Sequence, residues 1–167
     1  MDEQLSPERI FETWFWPLYP EDCRADLQKA RETDANPAKN PTIFAKLDEI
    51  ARTFVLLAPQ AFRQDLNLDF SDASVHRLGA ALTRELRDEW AAQREADGVS
   101  RLAHVVIHGT IYVGACVVAQ HGGAWQVRRP LWESLVRLES RAGEADLAIF
   151  QWWLKALSDA EIGKGTL

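Results

Sequence analysis

The chain has 167 residues, 47% of them hydrophobic and 26% charged, with a net charge of −6 at pH 7. That length and balance suit one globular domain that needs no metal or disulfide to hold its core. The acidic balance weighs against a general nucleic-acid binder, because neutralising phosphates takes a basic face, and the 14 arginines lie scattered among carboxylates. Two distant cysteines, Cys23 and Cys116, no apolar run of the ~18–20 residues a membrane span requires and no basic-then-apolar leader together predict a cytoplasmic protein.

Residues 1–32 read as a helical arm. Ser6 is placed to cap a helix, Pro7 fits its first position and Glu8 suits its dipole. Ile10, Phe11, Trp14 and Phe15 then make one stripe that Pro17 stops. A second helix is expected from about Pro20 to Glu32. The turn-rich segment 33–40, TDANPAKN, separates this arm from a core domain spanning residues 41–160.

Asn40 and Pro41 repeat the cap-then-proline start. Ile43, Leu47, Ile50, Phe54 and Leu57 keep helical spacing until Pro59, where an interruption is expected. Ser71 is placed to cap a helix running through Gln93, with Val75, Leu78, Leu82, Leu86 and Trp90 as its apolar stripe.

Residues 104–125, HVVIHGTIYVGACVVAQHGGAW, hold three of the four histidines and four of the nine glycines. The β-branched content suggests a strand, but alternation is absent and apolar or small residues fill nearly every position from Leu102 to Ala119. A helix buried on most sides fits this pattern, with a buried hairpin as the alternative. Small residues at Ala103, Gly109, Gly114, Ala115 and Ala119 let neighbours approach, and Gly122 suits the left-handed residue that ends a helix. Beyond it, Trp125 and Val127 alternate with polar residues, Pro130 turns the chain, and alternation resumes from Trp132 to Leu138: a short antiparallel hairpin. A last helix is expected from Gly143 to Ser158, its apolar arc of Leu147, Ile149, Phe150, Trp152, Trp153, Leu154, Ala156 and Leu157 wider than one core face needs. The tail should fray. The fold class that follows is α+β: a mainly helical single domain with a small antiparallel β-hairpin or sheet near the C-terminal end.

Several chemistries can be weighed on the residues alone. His104 and His108, four apart on one helical face, could share a zinc ion, yet no Glu follows His104 as an HExxH motif requires. The glycines of HGGAW leave a helix rather than open one and bring no lysine, unlike a phosphate-binding loop. Cys116 sits among valines, where a thiol is inert, no GxSxG elbow exists, and Glu144 with Asp146 or Asp88 with Glu89 read as solvated faces. What remains is interaction. Arg128 and Arg137, near Trp125 and Trp132, suggest a basic aromatic face. Trp14 and Trp16 of the arm, with Ile149 and Trp152 of the last helix, would form a large apolar patch if exposed; the alternative is that arm and helix cover each other.

LDFSDASVHRL and GTIYVGACVVAQHGGAW together resemble an uncharacterised bacterial family, with a Leu-Asp-Tyr/Phe-Ser helix start and a Gly-x-Tyr-x-Gly-Glu helix ending in Gly-Gly-x-Trp. Asp69, Phe70, Ser71 and Ser74 match the first part; Tyr112, Gly114, Gly122, Gly123 and Trp125 match the second. The likeness covers residues 44 to 157 and departs at Thr110 and Ala115, where the family has Gly and Glu. It implies an α+β domain with no established activity. The expectation is therefore a non-enzymatic protein-interaction domain (immunity-like, adaptor or regulatory) that binds a protein partner or itself, with no cofactor, nucleic acid or membrane. The alternatives are a small metal-dependent hydrolase using His104 and His108, or a small-molecule binder with a pocket between the glycine-containing helix and the hairpin.

Overall fold

A computed structural model describes residues 4–167. Ser6 accepts a hydrogen bond from the Arg9 N–H and opens α1, Pro7–Ile10. The helix then widens into a π turn, Phe11–Phe15, and tightens to a 3₁₀ turn at Trp16–Leu18. An α-helix would hold Ile10 and Phe15 about 140° apart at 3.6 residues per turn. The wider turn brings both to one side, and both are fully buried. The second arm helix is not continuous: α2, Glu21–Ala25, stops at Asp26, whose carboxylate caps α3, Leu27–Glu32, through the Lys29 N–H.

α4, Pro41–Phe62, starts as expected, with Asn40 accepting from the Thr42 N–H, but runs straight through Pro59 and ends at left-handed Arg63. Pro59 is on the exposed side, where the carbonyl its missing N–H leaves unpaired can meet water. The expected helix from Ser71 to Gln93 is two. α5, Asp72–Ala81, is capped by Ser71; Leu82 is extended, and Thr83 accepts from the Leu86 N–H to start α6, Arg84–Ala92.

Residues 104–121 are helical throughout. α7, Arg101–His121, is capped by Ser100 and closed by Gly122 at φ +70°. It packs against α4, α5, α6, the last helix and the sheet. Contrary to the sequence expectation about membrane-length segments, α7 is long and apolar enough to cross a bilayer by length and composition; two-thirds of its most apolar stretch (67%) is buried inside the fold. β1, Ala124–Gln126, pairs antiparallel with β2, Leu135–Ser140, with Trp125 opposite Val136. Trp132 belongs not to the strand but to a 3₁₀ turn, Leu131–Glu133, after a cis Arg129–Pro130 bond. A third strand, β3, Gly143–Leu147, pairs antiparallel with β2 where the sequence suggested a helix. Only α8, Ile149–Leu157, is helical there.

The two α7 glycines fix how closely its neighbours approach. A Cβ at Gly109 would stand 2.4 Å from the Trp153 ring of α8, and one at Gly114 would stand 2.2 Å from the Trp125 ring of β1. The arm covers the Phe150 side of the wide α8 arc and leaves Trp152 outside: Phe150 meets Phe15 edge-on at 5.1 Å and Phe11 at 6.3 Å. Leu5 and Asp159 close the chain ends through reciprocal bonds. The Leu5 N–H donates to the Asp159 carboxylate (2.6 Å) and the Asp159 N–H to the Leu5 carbonyl (2.8 Å). Arg87, almost fully buried, also donates to Asp159 and to the Leu157 carbonyl, both at 2.8 Å. The tail does not fray freely, since the Leu167 Cβ lies 3.2 Å from where a Gly79 Cβ would be.

Two outcomes follow. Gly109→Ala removes a residue costly in helices, but Trp153 is fully buried and its ring cannot swing aside. Overpacking therefore wins, with a loss of about 1–3 kcal/mol seen as a lower urea midpoint. Gly114→Ala, against the half-buried Trp125, loses less. For Asp159, burial alone would raise its pKa, but the Leu5 N–H, Arg87 and Arg84 outweigh it and hold the carboxyl below its usual range. Its stabilising contribution is thus complete above about pH 4, the unfolded value, and is lost as pH falls through the lower folded value. Asp159→Asn should cost about 1–3 kcal/mol at neutral pH and flatten the acid limb of a pH–stability curve.

Candidate functional site

Between the arm and α8 lies a cleft of about 880 Å³. Phe11 and Trp16 wall it on the arm side, Leu135, Ala148 and Leu154 on the core side, with Gln151 at its edge. Arg31 and Glu133 are its other charged lining, apart from Glu8 and Glu12 on the arm. The arm is held here by a polar knot. Arg31 grips the buried Glu133 carboxylate with two bonds of 2.9 and 3.1 Å, and the Tyr19 hydroxyl donates to the same carboxylate. The Trp132 indole N–H donates to the Tyr19 oxygen at 3.2 Å. Burial, then the Glu133 charge, drive the Tyr19 pKa far up, so the phenol keeps its proton. The Arg31 guanidinium also lies 5.6 Å from the centre of the Phe11 ring, within reach of a cation–π attraction.

The residues that the sequence marked for partner binding are dispersed. Ile149 is 0% exposed and Arg128 8%; Arg128 donates at 2.6 Å to the Arg31 carbonyl and serves to dock the arm. Neither offers a surface: Ile149 is part of the core, and Arg128 fills the seam between arm and core. Arg137 is paired with Asp146 across the sheet at 2.8 Å and with Glu144 at 3.7 Å, so the hairpin face is not basic. Trp14 is half-buried against the core, Trp16 lines the cleft, and Trp152 stays open at 38% exposure. Leu56, 81% exposed on α4, is a further apolar residue that the sequence reading passed over.

His104 and His108 do share a face, with ring centres 5.8 Å apart. They line a second cleft of about 480 Å³ between α4 and α7. The His104 Nε2 is bound to the Asp97 carboxylate at 2.9 Å, and the His108 Nδ1 donates to the His104 carbonyl at 2.8 Å. Among the described residues no group of three or more His, Cys, Asp or Glu side chains converges to hold a metal ion. The space between α7 and the hairpin is largely taken by the Trp125 ring on Gly114; what is left is a cleft of about 440 Å³ beside Asn36, Phe44 and Val127.

The motif residues make a structural junction. The Tyr112 oxygen accepts from the Phe70 N–H at 3.0 Å and bonds the Ser74 hydroxyl at 2.7 Å, which holds Phe70 in its left-handed conformation at the start of α5. Burial pushes Tyr112 up to about 12 and the neighbouring Cys116 thiol up to about 11. A thiol so protonated is a poor nucleophile.

Burial pulls the His108 pKa down, against the pull of its bond to the His104 carbonyl. The unfolded chain therefore binds the extra proton first, and stability should fall as pH drops below about 6.5, the usual imidazole value. His108→Gln should flatten that part of a pH–stability curve between pH 7.5 and 5, while an unchanged slope would place the titration elsewhere. No family model, curated protein or solved structure matches the chain at a significant level.

Proposed function

We propose that the protein is a non-enzymatic interaction domain that grips a segment of a partner protein in the cleft between its arm and α8. The observation that carries this is the cleft itself. Its walls of Phe11, Trp16, Leu135 and Leu154 are apolar, and it is open to solvent beside exposed Gln151. An open apolar surface with a fixed polar anchor is what a docking site offers. The groups with chemistry to lend are meanwhile committed to structure: both thiols are buried and pushed up, Tyr112 ties down Phe70, and His104 is bound to Asp97.

The test is a tagged full-length chain purified from the cells that make it, with the mass of the intact eluted complex measured and the contact region mapped by hydrogen exchange. The expected result is one stoichiometric partner that protects residues 7–16 and 148–154. Gln151→Trp, a change at an exposed position that fills the cleft edge, should weaken it at least tenfold (~1.4 kcal/mol), while Leu56→Ser leaves it unchanged. A partner footprint away from the cleft, or full binding by Gln151→Trp, overturns the proposal.

A further inference from the structure

We infer that the segment this cleft takes is cationic: an apolar stretch carrying Lys or Arg about one helical turn apart. The inference rests on the cleft's being a protein-docking site and adds the chemistry of what docks. Glu8 and Glu12 are four residues apart on the arm, are both exposed and both line the cleft. Neither has a salt-bridge partner among the described residues.

The other charges of the cleft are already spent. Glu133 is held by Arg31 and Tyr19, and Arg31 is held by Glu133 and lies over Phe11. Among the described residues no free cation lines the cleft to receive an acidic segment, and their lining carries three carboxylates against one guanidinium. An apolar wall beside two unpaired carboxylates is complementary to a basic amphipathic segment, and the protein's charge of −6 would steer such a segment inward. A second copy of this chain is disfavoured by its equal net negative charge of −6.

The experiment titrates the full chain with three twelve-residue capped peptides sharing one Leu/Ala face. They carry Lys, Gln or Glu at paired positions four apart. Affinity is read by calorimetry, and location by amide shifts of residues 8–16 and 148–154. The Lys peptide should shift the cleft amides and bind at least tenfold tighter than the Glu peptide, with the advantage shrinking at high salt. Glu8→Gln with Glu12→Gln should lower its affinity about five- to tenfold, as loss of two exposed charge pairs implies. Glu49→Gln with Glu85→Gln, which removes as much charge from exposed positions outside the cleft, should leave it unchanged.

If all three peptides bind the cleft equally, the charge preference is wrong and the docking site stands. If the control pair of substitutions weakens binding as much, the attraction is only general charge and the inference falls. If no peptide moves the cleft amides, the inference falls as well, and the docking site is then decided by the partner footprint alone.

Discussion

The close approach of the Trp153 ring to Gly109 is the contact from which the rest of the architecture follows. α7 is buried along most of its length, with α4, α5, α6, α8 and the sheet packed against it, and the distance at which α8 can lie is fixed by the missing side chain at position 109. Trp153 fills that space, and its indole N–H has no hydrogen-bond partner among the described residues. That is an energetic cost which close packing of a large ring must exceed. Gly114 does the same for Trp125, setting the sheet against the other end of the helix. With α8 and the sheet both seated on α7, the seam between them becomes the surface on which the arm lies.

The arm is then tied by polar contacts at both ends and packed into the core between them by Ile10 and Phe15. At one end Leu5 and Asp159 exchange backbone and carboxylate bonds; at the other, Tyr19 and Arg31 converge on Glu133. A buried carboxylate with two such partners contributes little net stability once its desolvation is counted. Removing one partner would be costly, however, so the knot fixes where the arm sits. Between these ties the π turn sends Ile10 and Phe15 into the core and leaves Phe11 as a wall of the cleft.

The helical part of this fold could be read from the chain because its signals are local. Caps at Ser6, Asn40 and Ser71 are short-range hydrogen bonds, and Gly122 ends α7 for a reason carried by one residue. Where reading failed, the deciding contact was distant or the local pattern was silent. Gly143–Leu147 is mostly exposed, so neither a period of two nor one of 3.6 could mark it as a strand. The break at Thr83 follows from a cap that looks like any other threonine until Leu82 is seen to be buried. Trp132 alternates with Ser134 and Val136 in sequence, yet its place is set by the Tyr19 hydroxyl, more than a hundred residues away. The cleft was the least visible feature. Glu8 and Glu12 flank Phe11 in plain sight, but Arg31 and Glu133, 102 positions apart, meet only in three dimensions. Arg128 looked available because its partner, the Arg31 carbonyl, is 97 positions away in the arm.

An apolar cleft in a folded chain raises the question of why it does not collapse. Here the two ties answer it. Sliding the arm inward would pull Tyr19 and Arg31 off Glu133 and leave a buried carboxylate unpaired, while the far end is anchored to Asp159, itself held by buried Arg87. Each break costs more than closing part of the cleft would return, because a buried charge without a partner is among the most unfavourable states a core can hold. The opening is therefore built into the position of the arm and does not depend on a ligand to prop it open. For the segment proposed to dock there, a preformed cleft would spare the cost of ordering the site and favour recognition by fit over recognition by rearrangement.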